Sequence, residues 1–381
     1  MSGRKRAKSH DSIFLKQVTC HRDCLVASIA PHQPAKHNTL HGIPLSGKLW
    51  PEGFLPRSGR LDHFRYIFYL AWDLNPQTCA ECMRVAFENG VNYFDTAESN
   101  AGGQSEIDMG MVFRKFGWKR SDLVVSTKIF WGGKGPNDRG LSRKHVIEGL
   151  RASLKRLQLT YVDIVFAHRP DLDTPMEEVV RAFNHVIDKG MAFYWGTSEW
   201  PAQKITEAHA VAQRLGLIAP LLEQSQYNMF NRECIEKEYM PLTQSFGMGL
   251  VTWSPLASGI LTGKYNNGIP PDSRLALAEH PAITRLRAGL ATEEGRRKFE
   301  KVRAIMRIAQ NIGCTPAQLA LAWCLRGPSV SAVIMGASRP EQVAENLRSL
   351  AVAPKLTNEI MLEIEAILQN KPEPIFNFRK S

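Results

Sequence analysis

The sequence predicts an α/β protein in which strands and helices alternate and close into a (β/α)8 TIM barrel. Short runs of β-branched and aromatic residues recur eight times, and each is followed by a longer stretch with apolar residues at helical spacing. The runs are almost continuously apolar, as strands buried on both faces of a parallel sheet are. An open doubly wound sheet is the alternative. The turn Asp73–Pro76 after the first strand argues against it, because it lacks the glycines of a dinucleotide-binding turn.

Each predicted strand is an apolar run too short to be a helix. In chain order the predicted strands are Tyr66–Trp72, Val91–Phe94, Leu123–Lys128, Tyr161–Ala167, Ala192–Gly196, Leu221–Gln224, Gly249–Trp253 and Ser331–Met335. The stretches between them with helical spacing include Cys79–Asn89, Arg143–Gln158, Pro175–Lys189, Ala202–Leu215 and Arg297–Gln310. Several of these helices are followed by a glycine, where a left-handed cap residue is expected; the glycines are Gly90, Gly117, Gly190 and Gly216.

The pattern divides the chain into three parts. Residues 1–62 contain five prolines, scattered histidines and no stable period, and we expect them to be an unstructured basic extension. Residues 63–370 are expected to form the barrel, and residues 371–381 a C-terminal tail. Within the barrel, Pro255–Arg297 is too long for an ordinary connection and predicts a lid or binding loop. A last helix, Thr357–Leu368, is expected to pack outside the barrel.

Composition and charge exclude several classes of protein. Hydrophobic residues make up 44% of the chain and charged residues 22%, which argues against fibrous and wholly disordered proteins. The formal net charge of +11 is uneven, because residues 1–60 hold ten lysines and arginines against three acidic residues. A basic tail on a nearly balanced body argues against nucleic-acid binding, which needs cations on folded structure. Arg4–Arg6 is interpreted as part of a solvated tail, with a targeting signal as the alternative.

The cysteines and the apolar runs bear on location and metal binding. Seven irregularly spaced cysteines favour a reducing, cytoplasmic compartment. Cys20 with Cys24, and Cys79 with Cys82, are spaced like metal or redox pairs, but no second pair stands at zinc-like spacing and no metal is expected. No apolar run approaches the roughly 18 residues needed to span a bilayer. The sequence therefore predicts neither direct membrane insertion nor secretion.

Three chemically active residues fall at the ends of neighbouring predicted strands. Asp95 stands at the end of the second strand, Lys128 at the end of the third and His168 at the end of the fourth. Singly, each has a structural explanation, because a strand-end Asp often caps a helix and a lone His is often structural. In a barrel the carboxyl ends of the strands meet at one mouth, where active sites lie. Together, the three residues favour an acid–base site.

A series of motifs runs along most of the barrel. The motifs are FDTAESNAGGQSEIDMG (Phe94–Gly110), STKIFWGG (Ser126–Gly133), the stretches Arg139–Asp171 and Thr174–Trp200, TWSPLASGILTGKY (Thr252–Tyr265) and IMGASRPEQVAENL (Ile334–Leu347). In this order they resemble the aldo-keto reductase superfamily, and within it the branch that contains the β subunits of voltage-gated potassium channels. The resemblance covers roughly residues 77–370. It implies a barrel that binds NADPH in extended form at the strand ends.

The resemblance also implies roles for the three strand-end residues. In aldo-keto reductases a Tyr protonates the carbonyl oxygen while hydride passes from the nicotinamide, a Lys and an Asp lower the pKa of that Tyr, and a His orients the carbonyl. Asp95, Lys128 and His168 match three members of this set. The channel β subunits have Asn at the fourth-strand position, so His168 is similar to the broader reductase family and indicates an enzyme.

The fourth catalytic position departs from the family. Where the pattern has Tyr, this chain has Asn100. Asn can donate a hydrogen bond but releases no proton near neutral pH, and the loss of a general acid costs about 10²–10⁴ in rate. Tyr93 faces the same way as Asp95 but is expected to lie in the core one layer deeper. Proton delivery by His168 and a nearly inactive, nucleotide-binding protein are both left open.

By the same resemblance, one set of residues surrounds NADPH. The implied contacts are Trp72, Asp95, Ser198, Gln224, Trp253, Ser254, Pro255, Leu256, Ala257, Ser258, Lys264, Arg274, Gly336, Ser338, Gln342, Glu345 and Asn346. Trp253 is expected to stack on the nicotinamide, and Lys264 to neutralise the pyrophosphate. Ser338 and Arg339 precede a helix and favour a phosphate, hence NADPH over NADH.

The start of the barrel does not resemble the family. Trp72 matches a Trp of the nicotinamide pocket, but the Gly-Gly expected there is missing from FRYIFYLAWDLNPQTCAECM. Either the N-terminal part has diverged, or an unrelated stretch precedes a standard barrel.

Two functions follow as hypotheses. The first is NADPH-dependent reduction of small aldehydes or ketones, impaired by Asn100. The alternative is an NADPH-binding regulatory β subunit with little or no turnover, cytoplasmic and held at the plasma membrane by a potassium channel α subunit. Family members often form rings of four, so the resemblance implies a homo-oligomer, with a tetramer as the default. Nucleic-acid binding through the basic tail is the least favoured function.

Overall fold

Eight parallel strands close into a barrel in sequential order. The structure is a computed structural model that describes residues 66–70, 75–277, 281–373 and 379. The strands are β1 (Tyr66–Leu70), β2 (Tyr93–Asp95), β3 (Val124–Ile129), β4 (Val162–Ala167), β5 (Ala192–Ser198), β6 (Leu222–Gln226), β7 (Gly249–Trp253) and β8 (Val330–Ala337). Each strand pairs with the next, and β8 pairs with β1 over Tyr66–Leu70, which closes the barrel. The predicted (β/α)8 fold is thereby confirmed.

Helices follow the strands and cover the outside of the barrel. They are α1 (Pro76–Glu88), α2 (Gln104–Phe116), α3 (Arg143–Leu157), α4 (Met176–Asp188), α5 (Ala202–Leu215), α6 (Met240–Phe246), α7 (Arg274–Leu277), α8 (Pro281–Leu290), α9 (Glu293–Asn311), α10 (Pro316–Leu325), α11 (Pro340–Leu347) and α12 (Asn358–Leu368). Gly90, Gly117, Gly190 and Gly216 have φ of +89°, +60°, +67° and +63°, the left-handed conformation expected where a helix ends.

Side chains along each strand point alternately into the barrel and out towards the helices, so they form an inner layer and an outer layer. The inner cluster consists of Ile67, Tyr93, Ile164, Phe166, Leu222, Val251, Ala332 and Ile334. Outward-facing residues pack on the helices in a larger second cluster, in which Trp195 of β5 stacks on Phe183 of α4 at 4.9 Å between ring centroids. The barrel interior is therefore filled with side chains, and its open end lies at the carboxyl ends of the strands.

Three strands continue two residues beyond their predicted ends. β5 reaches Ser198, β6 reaches Gln226 and β8 reaches Ala337. The added residues are small or polar, so they do not belong to the apolar runs from which the strands were predicted. The pairing of their backbones with the neighbouring strands is what places them in the sheet. The predicted first strand extends to Trp72, and residues 71 and 72 lie outside the described residues, as does the predicted extension over residues 1–62.

The segment after β7 is more helical than predicted. The expected lid or binding loop, Pro255–Arg297, contains α7, α8 and the first turn of α9. The Thr292 side chain accepts a hydrogen bond from the Gly295 N–H, and Glu293 and Glu294 occupy the first turn of α9. A capping Thr followed by acidic residues is a helix start signal, which the prediction of a long loop overlooked. In the described residues, no helix is both long enough and apolar enough to cross a membrane.

A buried arginine ties the loop after β6 to the last helix. Arg232 is 4% exposed, and its guanidinium donates to both carboxylate oxygens of Glu236 at 2.8 Å and of Glu365 at 2.7 Å. It also lies over the ring of Trp323, 5.2 Å from the centroid. Tyr227 donates its hydroxyl hydrogen to Glu236 at 2.8 Å. Removing one partner of a bidentate charge pair that is largely shielded from water strongly destabilises the folded protein.

We expect Arg232→Met to lower the free energy of unfolding by about 3–5 kcal/mol, because two carboxylates lose their cation in a poorly hydrated site. Urea unfolding monitored by far-UV circular dichroism measures the change. Lys144→Met is the matched control, because its pair with Glu148 is exposed and worth less than about 1 kcal/mol. A change no larger in the Arg232 variant than in the Lys144 variant would contradict this account.

Candidate active site

The centre of the barrel mouth is a buried ion pair between two adjacent strands. Asp95 ends β2 and is fully buried, and Lys128 of β3 is 3% exposed. The Lys128 Nζ lies 2.5 Å from Asp95 Oδ2 and donates a second hydrogen bond to the Thr96 carbonyl oxygen at 2.7 Å. Burial lowers the pKa of Lys128, although the charge of Asp95 opposes this shift. The pair is therefore a strong, water-poor interaction rather than a surface contact.

Two further side chains fix the orientation of the Asp95 carboxylate. Ser126, two residues before Lys128 on β3, donates its hydroxyl hydrogen to Asp95 Oδ1 at 2.5 Å. Gln224 of β6 donates its amide N–H to Asp95 Oδ2 at 3.5 Å from across the barrel mouth. Both partners are buried, at 0% and 3% exposure. The carboxylate is thus held on both oxygens, and the ammonium of Lys128 has a fixed position.

His168 follows β4 and is held by its backbone to the neighbouring strand. Its N–H donates to the Ile129 carbonyl oxygen at 3.1 Å. Burial, with the nearby positive charges of Lys128 and Arg169, lowers the pKa of His168 to about 2. The imidazole is therefore neutral at physiological pH. Its Nδ1 is buried and has no hydrogen-bond partner among the described residues.

Asn100 lies in a short 3-10 turn, Asn100–Gly103, between β2 and α2. It is 4% exposed, and its amide nitrogen has no hydrogen-bond partner among the described residues. A buried amide with an unused N–H can donate to an added polar group. Tyr93, the nearby phenol, belongs to the inner cluster beneath Asp95. Burial, reinforced by the charge of Asp95, raises its pKa well above the usual value, so it is not a ready proton donor.

The rim of the mouth beside Gln224 consists of the ends of β5 and β7. Ser198 is 2% exposed, and Arg169 approaches its hydroxyl at 3.5 Å. Trp253 is half-buried and packs on the inner cluster from above. Its indole N–H donates to Glu199 Oε1 at 2.8 Å. An aromatic face, a hydroxyl and an amide are therefore gathered at one side of the opening.

The turn after β7 has an unusual backbone. Ser254, Ala257 and Ser258 have φ of +58°, +48° and +57°, in the left-handed region that non-glycine residues rarely adopt. Such strain persists where surrounding structure enforces it and is common at binding sites. Lys264 folds back over Gly259, where an added Cβ would lie 3.1 Å from Lys264 Cε. The turn therefore presents an ammonium beside a tightly curved backbone, which suits an anion.

The predicted residues of this turn and of the last βα unit are at the same end of the barrel. Pro255 and Leu256 lie in the turn after β7, between Ser254 and Ala257. Gly336 is exposed near the end of β8, and Ser338 donates both its backbone N–H and its hydroxyl hydrogen to Gln342 Oε1. Glu345 and Asn346 lie on α11, and Asn346 is buried.

Two of the predicted cofactor residues lie wholly or partly outside the described structure. Trp72 is outside it altogether. The Arg274 backbone begins α7, and its side chain lies outside what the structure describes. Nearby, Arg339 contacts Asp272 at 3.4 Å, so the segment before α7 approaches the end of β8. Among the described residues, no group of three or more His, Cys, Asp or Glu side chains could hold a metal ion.

Three polar residues of the site were not among the predicted ones. Ser126 could have been found, since it alternates with Lys128 and must face inward. Arg169 directly follows His168 and donates to its carbonyl oxygen at 2.5 Å. The Glu199 side chain lies at the site only because its backbone is left-handed, with a φ of +58°. No sequence pattern marks a left-handed Glu, so its place beside Trp253 needed the structure.

Comparisons with known proteins give two findings. The model of the aldo/keto reductase family matches residues 68–369. A protein of Oryza sativa subsp. japonica, described as a probable voltage-gated potassium channel subunit beta, is 50% identical over 329 residues, which cover 85% of this chain and 98% of the relative. Both findings agree with the family that the motifs indicated, but the family model begins at residue 68, so the expectation that the start of the barrel does not resemble the family is wrong.

We expect His168→Gln to flatten the pH dependence of stability below pH 6.5. The pKa of about 2 in the folded chain is lower than the 6.5 of a free imidazole, so between these values protons bind preferentially to the unfolded chain. Folding free energy from His168 is therefore fully present above pH 6.5 and is lost as the pH falls. From pH 7 to pH 5 the natural protein should lose about 2 kcal/mol more than the variant.

Urea unfolding at the two pH values measures this difference. His209, whose pKa burial lowers to about 4, contributes to both proteins and cancels. Equal losses in both proteins would show that the pKa of His168 is not lowered by folding, which would contradict this account.

Proposed function

This chain belongs to the aldo/keto reductase family, and on that premise we propose that it binds NADPH and slowly reduces small aldehydes or ketones to alcohols. The observation that carries the proposal is the buried Asp95–Lys128 pair, with its 2.5 Å contact, at the carboxyl ends of β2 and β3. A desolvated ion pair of this kind is expensive to maintain for stability alone. Together with a neutral imidazole at the end of β4, it supports an acid–base site.

The residues of the mouth suit the parts of NADPH. Trp253 offers a flat ring for a nicotinamide, and Ser198 and Gln224 offer polar groups for its carboxamide. Lys264, folded over Gly259, offers a cation for the pyrophosphate. Arg339, on the exposed surface before α11, offers a second cation for a ribose phosphate. When bound, NADPH supplies the hydride for the carbonyl carbon.

The side chains of this chain then act on the carbonyl oxygen. The neutral His168 can donate an N–H hydrogen bond to the developing alkoxide, and so can the unused amide N–H of Asn100. Neither group supplies a proton near neutral pH: with a pKa of about 2, His168 has already lost its imidazolium proton, and an amide does not ionise. The alkoxide therefore takes its proton from water, which makes the reaction slow.

We expect Asn100→Tyr to raise kcat by about 10²–10⁴, because a phenol beside the Lys128 ammonium can act as a general acid. NADPH oxidation with an activated aromatic aldehyde measures the rate, and fluorescence titration measures NADPH affinity. Asn100→Phe is the matched control, since it adds the ring without the hydroxyl and should not raise kcat.

Two results would count against the proposal. If neither the natural protein nor Asn100→Tyr binds NADPH, the cofactor is wrong. If both bind NADPH and neither reduces a range of aldehydes and ketones, the chain is not a reductase.

A second candidate function is that of a cytoplasmic regulatory β subunit, bound to a potassium channel α subunit at the membrane. The observation that favours it is Asn100, which removes the general acid while the other residues of the site remain. The rice relative, described as a probable channel β subunit, supports the same choice of partner. Under this proposal NADPH occupancy, rather than turnover, carries the signal, and the chain assembles as a homo-oligomer.

We expect the purified chain to bind membranes that contain a voltage-gated potassium channel α subunit and not matched membranes without it, since the partner is the channel and not the lipid. Co-sedimentation with the two membrane preparations measures this. Equal retention on both would overturn the second candidate and leave the reductase proposal untouched.

A further inference from the structure

We propose that Glu199 is a positioning residue, which holds the indole of Trp253 in one fixed orientation so that its face is available for stacking on a nicotinamide ring. The inference rests on the proposed binding of NADPH. It concerns a residue that acts through another, because the carboxylate contacts Trp253, whose aromatic face is the proposed contact of the nicotinamide.

The carboxylate of Glu199 makes two hydrogen bonds with the same oxygen. Oε1 accepts the indole N–H of Trp253 at 2.8 Å and the backbone N–H of Gln226 at 2.7 Å. Gln226 and Trp253 are register partners on β6 and β7. One oxygen therefore joins the side chain at the end of β7 to the backbone at the end of β6. Hydrogen bonds to an ionised acceptor are short and strong, and both of these are below 3 Å.

The position of Glu199 in the sheet explains why it can reach both groups. The pairing of β5 with β6 stops at Ser198 and Gln224. The Glu199 N–H still donates to the Gln224 carbonyl oxygen at 3.1 Å, but its backbone then turns to a φ of +58°. The Glu199 carboxylate therefore accepts the Gln226 N–H, in place of the backbone carbonyl that a longer β5 would have supplied. The same carboxylate thus satisfies the Gln226 backbone N–H and holds the indole of Trp253.

The residue that follows Glu199 is firmly anchored, which keeps Glu199 in this conformation. The next residue, Trp200, is 1% exposed, and its indole N–H donates to the Ala167 carbonyl oxygen at 3.2 Å. The Trp200 carbonyl oxygen accepts the hydroxyl hydrogen of Tyr239 at 2.8 Å. A left-handed non-glycine residue costs of order 1–3 kcal/mol and persists only where its surroundings enforce it. Here the strain aims a carboxylate at the barrel mouth.

Charge is the alternative reason for a carboxylate at this position. Arg169 lies close enough that the negative charges of Glu199 and Glu223 oppose the fall in its pKa caused by burial. Under that alternative, Glu199 would serve as a counter-ion to Arg169 and the indole contact would be incidental. Glutamine separates the two explanations, because it keeps an acceptor oxygen and removes the charge. Alanine removes both while keeping a Cβ at the same φ, so the backbone strain is matched.

The first experiment follows the indole N–H of Trp253 in the cofactor-free protein by ¹⁵N-resolved NMR, with Trp253→Phe to assign the signal among the eight tryptophans. We expect a slowly exchanging indole hydrogen in the natural protein and in Glu199→Gln, and a fast-exchanging one in Glu199→Ala. If exchange is equally fast in the natural protein and in the Ala variant, the hydrogen bond does not hold the ring, and the proposal is wrong.

The second experiment measures NADPH affinity in the same variants by fluorescence titration. We expect Glu199→Ala to raise Kd about tenfold, the lower end of the range for one lost hydrogen bond to a charged group, and Glu199→Gln to stay within about twofold. In the Trp253→Phe background, Glu199→Ala should have no further effect, because the ring it orients has lost its N–H.

The outcomes separate this inference from the cofactor proposal. Absence of NADPH binding to the natural protein refutes the proposed function together with this role. Tight binding that Glu199→Ala leaves unchanged refutes the positioning role alone. A loss in Glu199→Gln as large as in Glu199→Ala, or one that persists in the Trp253→Phe background, assigns Glu199 to charge rather than to positioning.

Discussion

The rest of the site depends on one interaction, the ion pair of Asp95 and Lys128 inside the barrel mouth. Two charges this deeply buried are tolerated only if each finds a partner and the remaining polar atoms are satisfied. Parallel pairing of β2 with β3 meets the first condition, since Asp95 lies opposite Ser126 and Lys128 follows two residues later on the same face. The Ser126 hydroxyl and the Thr96 carbonyl oxygen meet the second. The barrel register therefore determines the electrostatics of the mouth.

The connections above the strands are fixed by similar means. Glu98, three residues after Asp95, is 2% exposed and accepts the Phe130 backbone N–H at 2.6 Å. The same oxygen lies 3.1 Å from His145 Nε2 on α3. One carboxylate thus joins the turn that contains Asn100 to the loop after β3. Glu199 does the equivalent for the ends of β6 and β7. In each case a carboxylate after a strand takes over the N–H groups that the ladder leaves unpaired.

This reliance on backbone groups explains what the sequence could and could not predict. The strands and the convergence of Asp95 with Lys128 follow from apolar runs and from the geometry of a parallel barrel. The last residues of β5 and β6 were missed because hydrogen bonds, not apolar side chains, define them. The left-handed backbone at Glu199 was missed because no residue pattern predicts it, and α8 was missed because the length of the segment suggested a loop. Local sequence patterns therefore predict which residues are buried better than they predict strand register and the last residues of a strand.

The same geometry explains why Asn100 is accommodated without disturbing the ion pair. Asn100 sits in a turn after β2, and its amide nitrogen makes no hydrogen bond within the described part of the chain, so the ion pair below does not depend on it. Burial and the positive charge of Lys128 keep the imidazole of His168 neutral, and both effects act without a tyrosine at position 100. Asn100 and the neutral His168 therefore both have N–H groups that can donate a hydrogen bond, and neither side chain readily gives up a proton. Under the proposed function, cofactor binding and turnover would depend on different parts of the mouth, because the proposed cofactor contacts lie at the rim by β7 and Asn100 lies in the turn after β2.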